Sequence, residues 1–392
     1  MKCWALLFLC ILLVAASLPF LYQYRLSQNQ TKDDFYFGVS FGQDRAEEAL
    51  PLIDKVKDYT NVFFIDNWNI TANETALNLV CDYAANANLK FIVYFDFISR
   101  IAFPWHQQWL DNASARWGDK FLGVHLRDEL GGKQIEKTET VQNATDYSDA
   151  ARKYVASIQA YNSTKDAKSK GIKLFTSDFA LYWWDYQAGY DTVFAELGWN
   201  ISSSRQIALC RGAADMQGKD WGAIITWKTD NPPYLASGEE IYGDMVSAYV
   251  AGAKYVIVFN YPKYPQDNPY GILTEEHFTA MQNFWRYIHA YPRSTYGTVD
   301  AQAVLVLPKD YGWGMRRSQY IVQDKIWGLW FEDEKAPVIL NSVNKLDAKY
   351  HLQLDIIYED AKFNYQGKYQ QVYFWNSTIT LKTTAAEPPL FP

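Results

Sequence analysis

Between Phe35 and Ala290, short runs of β-branched and aromatic residues alternate with windows of helical periodicity. Strands separated by helical crossovers pair in parallel, so the pattern predicts an α/β fold with a parallel sheet. The runs read as strands are Phe35–Phe41, Asn61–Asp66, Lys90–Asp96, Phe121–Leu126, Lys173–Asp178, Gln206–Leu209, Trp221–Trp227 and Lys254–Tyr261. Helices are expected at Arg45–Tyr59, Thr75–Ala87, Gln107–Trp117, Tyr147–Lys168, Asp191–Leu197, Ala213–Lys219, Gly238–Ala251 and Glu275–Ala290. In the first of these Asp44 can cap, Ala46, Leu50, Ile53 and Val56 recur at spacings of three and four, and Pro51 predicts a kink or a later start. Val62-Phe63-Phe64-Ile65 is apolar without alternation, as a strand covered on both faces should be. The whole fits a (β/α)8 TIM barrel over residues 35–291, close to the roughly 250 residues typical of that fold.

Residues 292–382 read as a small α/β accessory domain. It has strands at Ala303–Leu307, Leu352–Tyr358 and Gln371–Phe374, a Gly- and Trp-rich loop Pro308–Arg317, and a helix within Gln323–Asp347. Residues 383–392 are expected to be a disordered tail.

Ahead of the barrel, Lys2 precedes an apolar stretch, Trp4–Tyr22, followed by Arg25 and a polar linker over residues 26–34. Residues 1–25 thus read as a signal peptide or a membrane-spanning signal anchor, since the stretch lies between the two in length. Export agrees with N-x-S/T sequons at Asn29, Asn69, Asn73, Asn112, Asn143, Asn162, Asn200 and Asn376. Outside the cell a Cys81–Cys210 disulfide is chemically permitted, and buried free thiols are equally normal. The expected localisation is the cell surface or the extracellular space.

The chain carries a formal charge of −7 and no basic patch, which argues against nucleic acid as a partner. Aromatic residues make up 17% of it, with 15 Trp and 29 Tyr, side chains that fill cores and also stack on sugar rings.

Reactive residues of such a barrel sit at the C-terminal strand ends, where the loops converge. The ends here include Asp66-Asn67-Trp68, Asp96, Arg127-Asp128-Glu129, Asp178, Arg211, Trp227-Lys228-Thr229-Asp230 and Asn260-Tyr261. Glycosidic cleavage needs a proton donor and a second carboxylate, about 5–5.5 Å apart for retention and about 6.5–9.5 Å for inversion. Glu129 is the candidate donor, with Asp178 or Asp230 as partner and Asp128 beside them; an acid here can equally cap a loop or pair with Arg127. Trp184, Trp227, Tyr261, Asp66, Trp68, Arg127 and Trp313 are candidates for holding a sugar.

Other chemistries fit less well. Gly38-Val39-Ser40-Phe41-Gly42 matches a nucleophile elbow, but it follows the first strand and lacks the upstream loop that completes an oxyanion hole. The five histidines form no metal-binding spacing, and His277 is expected to be solvated, so neither a metal nor a cofactor is implied.

The segments Gly123–Gly132, Thr176-Ser177-Asp178, Leu181-Tyr182-Trp183-Trp184-Asp185, Ile225-Thr226-Trp227-Lys228 and Val306–Arg317 together resemble a family of exported archaeal proteins with a glycoside-hydrolase-type barrel and no established activity. The resemblance implies fold more than reaction. Retaining barrels of this type often carry a Glu at the end of strand seven, whereas this chain has Thr226-Trp227-Lys228, with Asp230 the nearest acid. Two functions therefore follow: an extracytoplasmic glycoside hydrolase acting on polysaccharide or surface glycans, or a non-catalytic glycan-binding barrel whose acids accept sugar hydroxyls. Oligomeric state is left open.

Overall fold

The computed structural model describes residues 34–95, 103–137, 140–262, 268–312, 335–377 and 379, with backbone alone at 323–324 and 331–332. Eight parallel strands close into a barrel in the order β1 to β8. They are β1 Tyr36–Phe41, β2 Val62–Ile65, β3 Lys90–Tyr94, β4 Phe121–His125, β5 Leu174–Asp178, β6 Thr192–Leu197, β7 Asp220–Ile225 and β8 Tyr255–Val258. Helices occupy the crossovers, with Glu275–Ala290 after β8. The first crossover starts late, as Pro51 implies: a 3-10 turn Ala46–Glu48 leads into an α-helix at Ala49–Val56. The segment read as one helix over Tyr147–Lys168 is two, Tyr147–Ala160 and Asn162–Ser169, broken at Tyr161.

One strand lies elsewhere than expected. Gln206–Leu209 belongs to the helix Ser203–Gln217, while Thr192–Leu197, read as helical, is β6 with all six residues buried. The helix misleads because nine consecutive residues, Gln206–Ala214, are buried. It is packed between β6 and β7 on one side and β12 (Leu354–Tyr358) on the other, so no polar face marks its period. At Gly212 a Cβ would meet the Ile356 carbonyl oxygen at 2.8 Å, which shows how closely the two backbones approach.

Arg211, expected at a strand end, lies in that helix and forms a buried ion pair with Asp355, Nε to Oδ1 at 2.8 Å. Its guanidinium also donates to the carbonyls of Leu352 and Leu354. The accessory region is a three-stranded parallel sheet, β12-β9-β13, with β9 Ala303–Leu307 central, β13 Gln371–Phe374 at one edge, and the helix Lys335–Tyr350 alongside. A two-stranded ribbon, β10 Gln323–Asp324 with β11 Phe331–Glu332, precedes that helix.

The barrel interior is filled by Val62, Phe64, Ile92, Phe175, Phe194, Ile224, Tyr255 and Ile257. Burying each apolar side chain contributes about 1.5–3 kcal/mol. Because successive side chains on a strand alternate faces, this set fixes which residues of β2, β3 and β5 to β8 point inward.

Cys81 and Cys210 are buried free thiols rather than a bridge. His277 is buried, not solvated: its Nδ1 accepts the Thr274 N–H at 3.0 Å, and Nε2 bonds the Ala236 carbonyl. Ser40 lies within β1, its hydroxyl oxygen accepting the Asn260 N–H at 3.0 Å, so it is no nucleophile elbow. Among the described residues no helix is long and apolar enough to cross a membrane; Trp4–Tyr22, like the tail 383–392 and Asp96, lies outside them.

Candidate functional site

Extending the inward-facing series one step past the interior layer identifies what enters the barrel mouth. Phe64 leads to Asp66, Ile92 to Tyr94, Phe175 to Ser177, Phe194 to Glu196 and Ile224 to Thr226, with His125 inward on β4. The packing agrees. The His125 ring lies 5.0 Å from Phe64 and 5.9 Å from Tyr94, and its Nε2 is 3.1 Å from Ser177 Oγ.

The loop after β4 brings two more acids over this layer. Arg127 and Glu129 both adopt left-handed backbone conformations, at φ 59° and 53°, which side chains other than Gly adopt only under constraint. Neighbouring β5 supplies the constraint: the Glu129 N–H donates to the Ser177 carbonyl at 2.9 Å, and Thr176 Oγ1 donates to the Arg127 carbonyl at 2.8 Å. Between them, Asp128 Oδ1 accepts the Ser177 hydroxyl at 2.5 Å. The helix Leu130–Lys137 starts immediately, so Glu129 is held half-buried at its entrance.

The electrostatics follow from packing acids in a dry mouth. Glu196 is driven well above the usual carboxylate range by burial, then by the negative charges of Glu129, Asp128 and Asp178, and by a hydrogen bond with Glu129. Asp66 is raised likewise by burial and by the charge of Asp128. Burial pushes His125 down to about 4, so the imidazole beneath them is neutral at pH 7. The mouth thus pairs carboxyls that hold protons, Glu196 and Asp66, with neighbours whose charge keeps them protonated.

Asp178, expected in the mouth, has the opposite parity to Ser177 and is fully buried outside it. Its Oδ1 accepts the N–H groups of Gly132, Phe179 and Ala180, and its Oδ2 that of Gly131. Asp230 is exposed on the loop after β7, and no described contact joins it to the buried acids. Trp184 is fully buried with its ring 4.5 Å from Tyr358, so it seals the barrel against the accessory sheet and is closed to a ligand. Trp313 lies outside the described residues.

The remaining candidates gather at the strand ends. Trp227 is half-buried, 5.8 Å from Tyr261 and 5.2 Å from Phe259; Tyr261, stacked on Phe259, and, after β2, Trp68, edge-on to Phe103, are 44% and 45% exposed. Arg127 stacks on Tyr161 at 4.1 Å. Lys228 pairs with Glu240 on the surface. Among the described residues no group of three or more His, Cys, Asp or Glu side chains is arranged to hold a metal ion.

Glu196 is the residue that sequence reasoning missed. Its signal is present in Thr192-Val193-Phe194-Ala195-Glu196-Leu197, a β-branched and aromatic run with one acid two positions after a Phe, and reading the segment as a helix hides it.

No protein-family profile matches the chain, and no curated protein matches its sequence. Among solved structures it is similar to the catalytic module of a family 98 glycoside hydrolase from Streptococcus pneumoniae, with a TM-score of 0.50 and 13% identity over 88% of this chain and 66% of that one. It thus spans just under two thirds of that module's length. A truncated 3-deoxy-D-arabino-heptulosonate 7-phosphate synthase from Thermotoga maritima matches at a TM-score of 0.38 and 8% identity, over 65% of this chain and 87% of that one. The likeness to the glycoside hydrolase module is one of fold alone, and barrels of this kind host many chemistries.

Proposed function

We propose that this chain is an extracytoplasmic glycoside hydrolase acting on polysaccharide or surface glycans. The observation that carries the reading is the Glu129–Glu196 pair, in which a carboxyl that burial and like charge keep protonated is hydrogen-bonded to a half-buried Glu at the rim. Glycosidic cleavage needs such a proton at neutral pH. When substrate binds, the proton moves from Glu196 to Glu129, the member nearer solvent, which gives it to the leaving oxygen as the anomeric C–O bond breaks; both carboxylates are then ionised until a proton returns from solvent. Asp128 is the second carboxylate, as base toward water or as nucleophile. Protonated Asp66 and the aromatic faces of Trp227, Tyr261 and Trp68 hold the sugar. The similarity to a glycoside hydrolase module supports the fold this chemistry requires.

Incubating the native protein with a panel of glycans and analysing released sugars tests this reading. We expect release by the native chain and at least about a hundredfold less from Glu129→Gln, in line with loss of a general acid. Binding without release by the native chain supports the rival, a glycan-binding barrel.

The extracytoplasmic part rests on the apolar segment Trp4–Tyr22 and on the sequons. Asn69, Asn73, Asn112, Asn143, Asn162, Asn200 and Asn376 are all exposed, whereas Asn67 and Asn260, outside any sequon, are buried. Peptide mass mapping of the protein from its native source tests for attached glycans and for the retained or cleaved leader. Unmodified asparagines at every sequon would remove this support.

A further inference from the structure

A second pair of acids, buried outside the mouth, takes no part in the chemistry above. Asp178 and Asp185 are both essentially inaccessible, one at the end of β5 and one in the short helix Tyr182–Ala188. Two carboxylates do not stay ionised side by side in a dry interior. Their partners differ in kind. Asp178 accepts four backbone N–H groups at 2.6 to 3.1 Å, the surroundings of an ionised carboxylate. Asp185 accepts one hydroxyl, from Tyr154 to Oδ1 at 2.9 Å, and its Oδ2 has no donor. A proton on Asp185 joins the two as donor and acceptor.

Two of the four N–H groups on Asp178 belong to Gly131 and Gly132, in the first turn of Leu130–Lys137. That turn follows Glu129 directly. Neither glycine has room for a side chain: a Cβ at Gly132 would meet the Phe179 ring at 2.1 Å, and one at Gly131 the Ala180 carbonyl at 2.5 Å. The close approach lets the Asp178 carboxylate cap the helix from a neighbouring strand, a role usually taken by a residue just before the helix.

We propose that Asp178 and Asp185, sharing one proton, are positioning residues that lock the helix entrance and thereby hold Glu129 over Glu196. The proposal deepens the hydrolase reading and rests on it only for its consequence in turnover; the lock itself is testable without a substrate.

The experiment is hydrogen exchange read by mass spectrometry on peptides spanning 126–137, in the native chain and in Asp178→Ala, Asp178→Asn and Asp185→Asn. Asp178→Ala is expected to speed exchange at Gly131 and Gly132 by on the order of tenfold or more, since a buried charge-assisted bond is lost at each. Asp178→Asn and Asp185→Asn, which keep an acceptor and a donor, should stay closer to native, which also guards against a variant that merely fails to fold. Infrared difference spectra between native and Asp185→Asn should show the loss of one protonated-carboxyl contribution at neutral pH, over those of Glu196 and Asp66. Native exchange in Asp178→Ala, or a band unaltered in Asp185→Asn, overturns the proposal. Where a glycan is turned over, Asp178→Ala should lower kcat with KM little changed. A native chain that turns over no glycan speaks against the hydrolase reading and leaves the exchange result to decide the lock.

Discussion

Ser177 and Asp178 are neighbours on β5 whose side chains face opposite ways: the Ser177 hydroxyl donates to Asp128 over the barrel mouth, while Asp178 turns into the helix layer and holds the Gly131 and Gly132 N–H groups. One strand thus shapes the loop after β4 from both sides. Pleat alternation decides which residue meets a ligand and which supports the backbone that carries one.

The first prediction concerns aromatic residues of different burial. Trp184→Ala should destabilise the fold by about 3–5 kcal/mol, as removal of a large core side chain does, because its ring is sealed against Tyr358. Tyr261→Ala should leave the denaturation midpoint within error and weaken glycan binding, because its side chain is exposed. Urea unfolding and a binding titration on both variants check the contrast; equal losses of stability would contradict it.

Arg211 and Asp355 make the second. Replacing Arg211 by Ala leaves Asp355 buried beside Tyr369, which donates its hydroxyl to Oδ2 at 2.9 Å. Removing one member of a buried pair costs about 3–5 kcal/mol. Loss should appear in thermal unfolding as weaker cooperation between barrel and accessory sheet, and an unshifted transition would argue against that coupling.

Stability should depend on pH with a sign set by the buried acids. Asp185, Glu196 and Asp66 have their pKa values raised, first of all by burial, and Asp178 and Asp185 hold one proton between them. Above the ordinary carboxylate range near 4, the native state therefore retains protons that the unfolded chain has lost, and stability falls as pH rises, by about 1.4 kcal/mol per unit for each such proton. His125 and His106, both pushed down to about 4 by burial, act oppositely. Unfolded histidines take up protons below about 6.5, so these two withdraw stability as pH drops from there toward 4. Urea midpoints should thus decline from pH 6.5 to 8.5, less steeply in Asp185→Asn. A midpoint that climbs over this range would refute the assignment.

Gly132→Ala is the fourth. The added methyl group collides with the Phe179 ring, so the helix entrance must shift. A loss of about 1–3 kcal/mol, typical of overpacking, should accompany a drop in turnover larger than the unfolded fraction explains, measured at a temperature where the variant stays folded.

Much of this architecture was legible in the sequence. Seven of the eight barrel strands, and the three strands of the accessory sheet, announce themselves as apolar runs between turn-forming residues. The sixth does not, because Gln206–Ala214 in the next helix is buried without a break and reads as a strand, which pushes the true β6 into a helix and hides Glu196. Glu129, Asp128 and Asp66 were visible as strand-end acids. Asp178 was visible too, but its direction depends on the inward register, which only the neighbouring strands define. Trp184 shows the same limit, since nothing local to Tyr182–Ala188 says that an accessory sheet covers it.

The most direct test of the central claim compares native protein with Glu196→Gln on any glycan that the native chain cleaves. Gln keeps the shape and neutrality of the protonated acid while removing its proton, so the fold should be as stable as native at neutral pH and turnover should fall by about a hundredfold or more. Native turnover from a folded Glu196→Gln protein would contradict the assignment of Glu129 and Glu196 as the proton-donating pair.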